Sequence, residues 1–373
     1  MLLGIFVFSA LSPLSVASAS TNEIEISQSE LFQVTDSRST QSVIERIEGA
    51  VAADDGEMLL AILTGIGQST DTAPVTPAFL RYKALMAFGA IGESEVAKRV
   101  LQKLMEPGAA TGPKIKLLRD VDGHRGFIYV FDPVAAARFA LGAWHAEAWA
   151  QRTRSDLAAG RHDFVAEWLD AQRAAGGRLA ASGLVRGLRQ SSLSDLAGLS
   201  APLARHLESG EPVAELAHVV AVRLQDESLA RTIIRGADAG NALALLSEVN
   251  AFPVAARLGL LESAVGRFEL RSAALYGIGQ LNTPAGRQAL IARLGSDEMG
   301  TSAAAALARY PGTQLLGELA ALVRSDAAPL ARRRAVLALH LYRDPAGKSM
   351  LRELARDSLV ESDLRELIAD KLQ

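Results

Sequence analysis

From Glu269 to Leu294 the chain reads ELRSAALYGIGQLNTPAGRQALIARL, with apolar residues at Leu270, Ala274, Leu275, Ile278 and Leu281. Steps of four, one, three and three keep these side chains on one stripe of a helix with about 3.6 residues per turn. Thr283-Pro284 then opens a second helix that carries Leu290 and Leu294. A Thr hydroxyl can accept from the orphan N–H groups of a helix start, and Pro at the first helical position loses no bond that would otherwise form. The spacing predicts two amphipathic helices joined by a tight turn.

The chain repeats this unit. A shift of 190 residues toward the N-terminus gives LRYKALMAFGAIGESEVAKRVLQKL at 80–104, with Leu80, Ala84, Leu85, Phe88 and Ile91 in the equivalent places. A shift of 61 the other way gives 331–355, with Ala331, Ala335, Val336, Leu339 and Tyr342. The turn Thr283-Pro284-Ala285-Gly286 returns as Asp344-Pro345-Ala346-Gly347, and in the first copy Glu93-Ser94-Glu95 takes its place. Two such helices cannot bury their stripe alone, so neighbouring copies are expected to stack.

The pattern resembles the HEAT repeat, and more closely the short bacterial variety of phycobilin lyase-like proteins, which reads roughly R-x-x-A-L-x-x-L-G-x-I-G. Arg81, Ala84, Leu85, Phe88, Gly89, Ile91 and Gly92 match it, as do Arg271, Ala274, Leu275, Ile278, Gly279 and Leu281. The resemblance implies an all-α, HEAT-like helical repeat solenoid that serves as a scaffold or binding surface, and it carries little chemistry. The clearest repeats are 77–106, 268–299, 300–326 and 329–357, within a solenoid expected over 40–373.

Elsewhere the rhythm is weaker. A helix is expected from Ser42, closed by Asp54-Asp55-Gly56, with a partner over 58–66 and a loop over 69–77. Pro107, Gly108, Gly112 and Pro113 break the helical pattern, and β-formers flank Asp122-Gly123. That combination predicts a β-hairpin insertion at 107–132, with strands 114–121 and 125–131. Helices return over 134–152 and 163–175, Gly176-Gly177 ends that block, and six short amphipathic helices fill 179–265. In the shortened repeat at 301–324 an Ala run leaves little depth, so its neighbours must pack tightly.

Composition adds a compartment and removes chemistry. Residues 1–19 hold an apolar run, Pro13 and Ala17-Ser18-Ala19, which reads as a signal peptide cleaved near Ala19. A Ser/Thr/Asn/Gln-rich lead-in with little order is expected over 20–39. No cysteine is present, which excludes disulfides, thiolate nucleophiles and cysteine metal sites and suits an oxidising compartment. The expected location is the periplasm or the exterior, with no membrane span in the mature chain. A net charge of −3 argues against a nucleic-acid partner. Lys is scarce, 7 against 32 Arg, which reads as genome composition more than function.

No catalytic residue, cofactor or metal site is assigned. The six histidines are scattered, and the chain has no P-loop, no G-x-S-x-G and no dinucleotide fingerprint. Gly277-x-Gly279 lies inside a repeat helix. His145-Ala146-Glu147 matches H-x-E without the P-C-x-x-C that zinc deaminases need. Two partner-binding candidates remain. Lys348, Arg352 and Arg356 recur at four-residue spacing on a second helix, and Lys98, Arg99, Lys103, Arg287 and Arg293 fall on equivalent helices. A shared basic groove would suit an acidic protein segment or an anionic envelope polymer, and the plainer reading is a solvated face balanced by Glu353 and Asp357. Trp144, His145, Trp149 and Trp168 cluster in sequence, as an aromatic pocket or as core where repeats of different geometry meet. The expected function is an exported scaffold or adaptor with a protein partner. A lyase-type enzyme and a small-ligand or polymer binder using the Trp-rich region are the alternatives.

Overall fold

A computed structural model describes residues 23–66, 74–107, 109, 113–121, 124–162, 164–173, 178–310 and 312–372. The fold is mostly helical with one small three-stranded sheet. The chain divides between His145 and Ala146 into two compact units. The expected signal segment 1–19, most of the loop 69–77, the Asp122-Gly123 turn and Gly176-Gly177 lie outside the described residues.

In the first unit, β1 (Glu23–Ile26) and helices α1 (Gln28–Asp36), α2 (Arg38–Ala52), α3 (Gly56–Gly65), α4 (Val75–Phe88) and α5 (Glu95–Leu104) come first. They precede β2 (Lys114–Val121), β3 (His124–Phe131) and α6 (Pro133–Ala158), within which the unit boundary falls. Strands β2 and β3 pair antiparallel, with an irregularity at Ile115/Lys116. The hairpin is not alone, because β1 pairs with β2 in parallel, Glu23 opposite Lys114 through Ile26 opposite Leu117. Alternation places Ile26, Ile115 and Leu117 in the core, beside Phe131, which lies 4.9 Å from Phe79. On the other face Lys116 meets Glu23 at 2.5 Å.

The lead-in expected over 20–39 therefore differs from what is observed. From Glu23 onward it forms β1, α1 and the start of α2, and Ser27 and Glu30 build a capping box between strand and helix. The missed signal is a pairing with β2 across some ninety positions of chain, which no local pattern reveals.

The second unit contains α7 (Phe164–Arg173), α8 (Arg178–Gln190), α9 (Leu193–Leu196), α10 (Ser200–Glu208), α11 (Ala214–Leu224), α12 (Glu227–Gly236) and α13 (Ala239–Ser247). It continues with α14 (Val254–Val265), α15 (Phe268–Gln280), α16 (Pro284–Ala292), α17 (Gly300–Leu307) and α18 (Thr313–Arg324). It closes with α19 (Pro329–Leu341), α20 (Pro345–Arg356) and α21 (Ser362–Leu372). One hydrophobic cluster runs through it from Leu157 to Ile368. Helix α15 packs on α17, α17 on α19, and α18 on α20, so consecutive two-helix hairpins lie against one another.

The repeated stripes are buried alike. Ala84, Leu85 and Phe88 in α4, Ala274, Leu275 and Ile278 in α15, and Ala335, Val336 and Leu339 in α19 are all 0–1% exposed. Thr283 caps α16 through the Gly286 N–H and Asp344 caps α20 through the Ala346 N–H, at 3.1 and 2.8 Å. The Gly of each turn has a steric cause: a Cβ at Gly347 would sit 2.6 Å from the Leu339 carbonyl, and one at Gly286 3.2 Å from the Ile278 carbonyl. In the first copy the cap is Ser94, one residue later than the alignment places it, and Val96 stands exposed where the other copies bury glycine. The Ala run of α17 has the expected counterpart, since a Cβ at Gly279 would lie 3.0 Å from the Ala306 carbonyl.

Guanidinium groups tie helix ends to later helices. Arg223 of α11 donates to carbonyls at Leu188, Arg189 and Ser191, in the last turn of α8 and just past it. Arg267 donates to Ile234 and Ala237 at the end of α12, at 2.7 and 2.8 Å. Arg334 of α19 donates to Leu294, Ser296 and Asp297 beyond α16. The first two sets include last-turn carbonyls of the kind a helix leaves unpaired at its C-terminus, the third lies in the turn past α16, and one planar fork serves several acceptors at once. An ammonium group cannot match that geometry, which supplies a structural reason for Arg over Lys at these positions. The motif arginines act similarly: Arg271 pairs with Glu298 and Arg332 with Glu361, at 2.7 and 2.8 Å.

Candidate functional site

The tryptophans serve two separate cores. Trp144 is 5% exposed, donates its indole N–H to the Ile91 carbonyl at 2.8 Å and meets Phe88 edge-on in the first unit. Trp168 is 1% exposed and donates to the Pro212 carbonyl at 2.7 Å in the second unit. Their rings and polar handles are thus committed to packing, as a buried indole requires. Trp149 is half-buried with the Arg152 guanidinium over its ring, and His145 is exposed on α6.

The cationic residues sort by partner. Arg287 is 9% exposed and held by Glu318 at 2.9 Å, and Arg293 faces Glu262 at 3.5 Å. In the first unit Lys98 is taken by Glu93 at 2.5 Å, and Arg99 donates to the Glu95 carbonyl of its own helix. The basic groove expected from all these helices is therefore neutralised at Lys98, Arg287 and Arg293. Opposite charges that lie about thirty residues apart in sequence meet in the fold. On α20 the outcome is different. Lys348, Arg352 and Arg356 are exposed and make no ion pair among the described residues. Two nearby acids are turned elsewhere, since Asp357 pairs with Arg324 of α18 at 2.6 Å and Glu361 pairs with Arg332, while Glu353 stays exposed on α20 itself, one turn from Arg356. The Arg324 hydrogen bond holds the Asp357 carboxyl below its ordinary value, helped by the Leu359 N–H.

A second feature escaped the sequence reading. Tyr276, Gly279, Gln280, Arg309 and Arg343 line a cleft of about 310 Å³ in the second unit. Tyr276 and Gln280 come from the last turn of α15, whereas Arg309 and Arg343 lie just past the ends of α17 and α19. Stacking three hairpins in register brings these places together. The Arg309 guanidinium lies 4.6 Å from the centre of the Tyr276 ring. No acidic residue lines the cleft, and among the described residues Arg309 and Arg343 form no ion pair. One signal was available in the sequence, namely arginines following the first helix of successive hairpins.

One histidine carries a pH effect. The His218 side chain is 12% exposed and lies 3.5 Å from Glu248. Burial pushes its pKa below the ordinary 6.5; Glu248 opposes the shift and Arg189 adds to it. The unfolded chain takes up this proton as pH falls through about 6.5, while the folded chain resists it, so stability is lost on the acid side. Melting followed from pH 7 to 5 should therefore fall less steeply for His218→Gln than for the parent, and parallel curves would remove the effect.

Among the described residues no group of three or more His, Asp or Glu side chains is arranged to hold a metal ion, and no helix is long and apolar enough to cross a membrane. Compared with protein-family models and with curated proteins, the chain matches none.

Proposed function

We propose that this chain is an exported HEAT-like helical-repeat scaffold whose α20 face docks an acidic segment of a partner protein. The fold part rests on repeated stripes buried alike in successive hairpins, and the address rests on the composition of residues 1–19. The docking part is carried by one observation: Lys348, Arg352 and Arg356 form an exposed ridge while Asp357 and Glu361 are engaged with other arginines. Exposed cations of this kind steer encounter and set specificity more than they add affinity, and salt screens them.

Cross-linking and affinity capture from a periplasmic extract, in parallel with binding of a poly-glutamate peptide, tests the reading. Lys348, Arg352 and Arg356 changed together to Glu should weaken both at least about tenfold, and raising salt should have a like effect on the parent. Capture and peptide binding that survive the triple reversal unchanged would remove the α20 interface. A co-purifying chromophore, metal or glycan in place of a protein would favour the lyase or ligand-binding alternative.

A further inference from the structure

We infer that the cleft between the ends of α15, α17 and α19 is a binding site for a singly charged carboxylate carried on a small planar group. This goes beyond the α20 interface and uses none of its residues.

Three observations converge. First, the polar lining is Arg309, Arg343, Gln280 and Tyr276, with no acid among them. Gln280 and Arg343 are exposed and make no hydrogen bond or ion pair among the described residues, so their donors face solvent. Two guanidinium forks and a carboxamide form a donor set that suits a planar oxyanion, which each fork can grip in bidentate fashion.

Second, the site has an aromatic wall held in place. Tyr276 is 42% exposed, and Arg309 lies over its ring. The contact orients the guanidinium before any ligand arrives, which reduces the ordering cost of binding. Gly279 forms the floor, where a Cβ would press on the Ala306 carbonyl at 3.0 Å. Helices α15 and α17 therefore approach closely beneath the cleft, and the cleft lies between rigid hairpins.

Third, charge and volume limit the ligand. The C-terminal ends of three helices border the cleft, and each contributes roughly half a negative charge. Against two guanidinium charges, the remaining positive potential suits a monoanion and disfavours a phosphate dianion. A volume of about 310 Å³ is at the small end of ligand sites, enough for one ring and its carboxylate.

The test uses the full chain and benzoate as the probe, with benzamide as its uncharged match and phenyl phosphate as the dianion. Calorimetric titration should give one site for benzoate, with benzamide and phenyl phosphate each at least about tenfold weaker. Arg309→Gln and Arg343→Gln should each lower benzoate affinity about tenfold, with melting temperatures near that of the parent because both side chains are exposed. A short peptide ending in Phe, with a free or an amidated C-terminus, separates the two sources of a carboxylate. Tighter binding of the free-ended peptide than of benzoate assigns the site to a chain terminus, and the reverse assigns it to a free small acid. Benzoate affinity weaker than about 1 mM, equal affinity for benzamide, or titrations unchanged in both Gln variants would overturn the inference.

Discussion

Gly183→Ala should lower the stability of the second unit by about 3 kcal/mol, seen as a fall of roughly 6–12 °C in melting temperature. A Cβ at Gly183 would lie 2.4 Å from the Ala146 carbonyl oxygen and 2.5 Å from the Trp149 Cβ. One turn later, a Cβ at Gly187 would lie 2.6 Å from Thr153 Cβ and 2.9 Å from the Ala150 carbonyl. Glycines four apart thus form a flat strip on α8, and the second half of α6 rests on it backbone to backbone. The obstructing atoms are carbonyls and Cβ positions, which move only if the helices move. A rotamer change cannot absorb the added methyl, and a densely packed interior has no slack for it.

Gly317→Ala is the matched control. It lies within α18, is exposed, and nothing stands within 4 Å of its added Cβ. Alanine there should be neutral or stabilising by about 0.5–1 kcal/mol, since it lowers the entropy of the unfolded chain. Arrays of repeats need not melt as a single step, so the comparison is made on transition midpoints read by circular dichroism. If Gly183→Ala and Gly317→Ala melt within about 2 °C of each other, the close approach of α6 and α8 is wrong.

Arg334→Ala should cost about 2–4 kcal/mol, because the carbonyls of Leu294, Ser296 and Asp297 past the end of α16 lose a charged donor together, although Ser296 keeps the Gly300 N–H. Charged donors make the stronger class of hydrogen bond, which argues for the upper end. Arg334 is half-buried, and water that reaches the vacated carbonyls pulls toward the lower end. Arg334→Lys separates charge from geometry. Lysine keeps the positive charge near the negative end of α16, yet a single ammonium cannot satisfy three carbonyls spread across a turn. Lysine should therefore recover less than half of the loss in denaturant midpoint. Full recovery would mean that charge alone matters there and that the tether argument fails. Gly300 belongs to the same arrangement, since a Cβ there would meet the Arg334 guanidinium and the Leu294 carbonyl.

Expectation and structure diverge in ways that follow from distance along the chain. The sequence contains the Thr283 and Asp344 caps because a cap acts on an N–H two or three residues away. It contains the β2–β3 pairing because the strands adjoin. It does not contain β1, whose four residues acquire meaning only beside Lys114–Val121. Charge shows the same limit. Arg287, Arg293 and Arg352 lie on equivalent second helices, yet Glu318 and Glu262 neutralise the first two while Arg352 forms no ion pair among the described residues. Trp144 and Trp168 adjoin the same stretch of sequence, and the fold sends each to its own core.

What the sequence by itself determined is the two-helix unit: a stripe of apolar residues at helical spacing, a cap, a turn, and the need to pack against a like neighbour. These are local properties, set by the period of the backbone and by groups within a few residues of one another. What only the tertiary structure decided is which cations remain unpaired, which glycines permit helices to touch, and where a tyrosine, a glutamine and two arginines surround one cleft. Those outcomes depend on atoms from different hairpins, thirty or more positions apart, whose meeting is set by how the hairpins stack and by nothing in either hairpin alone.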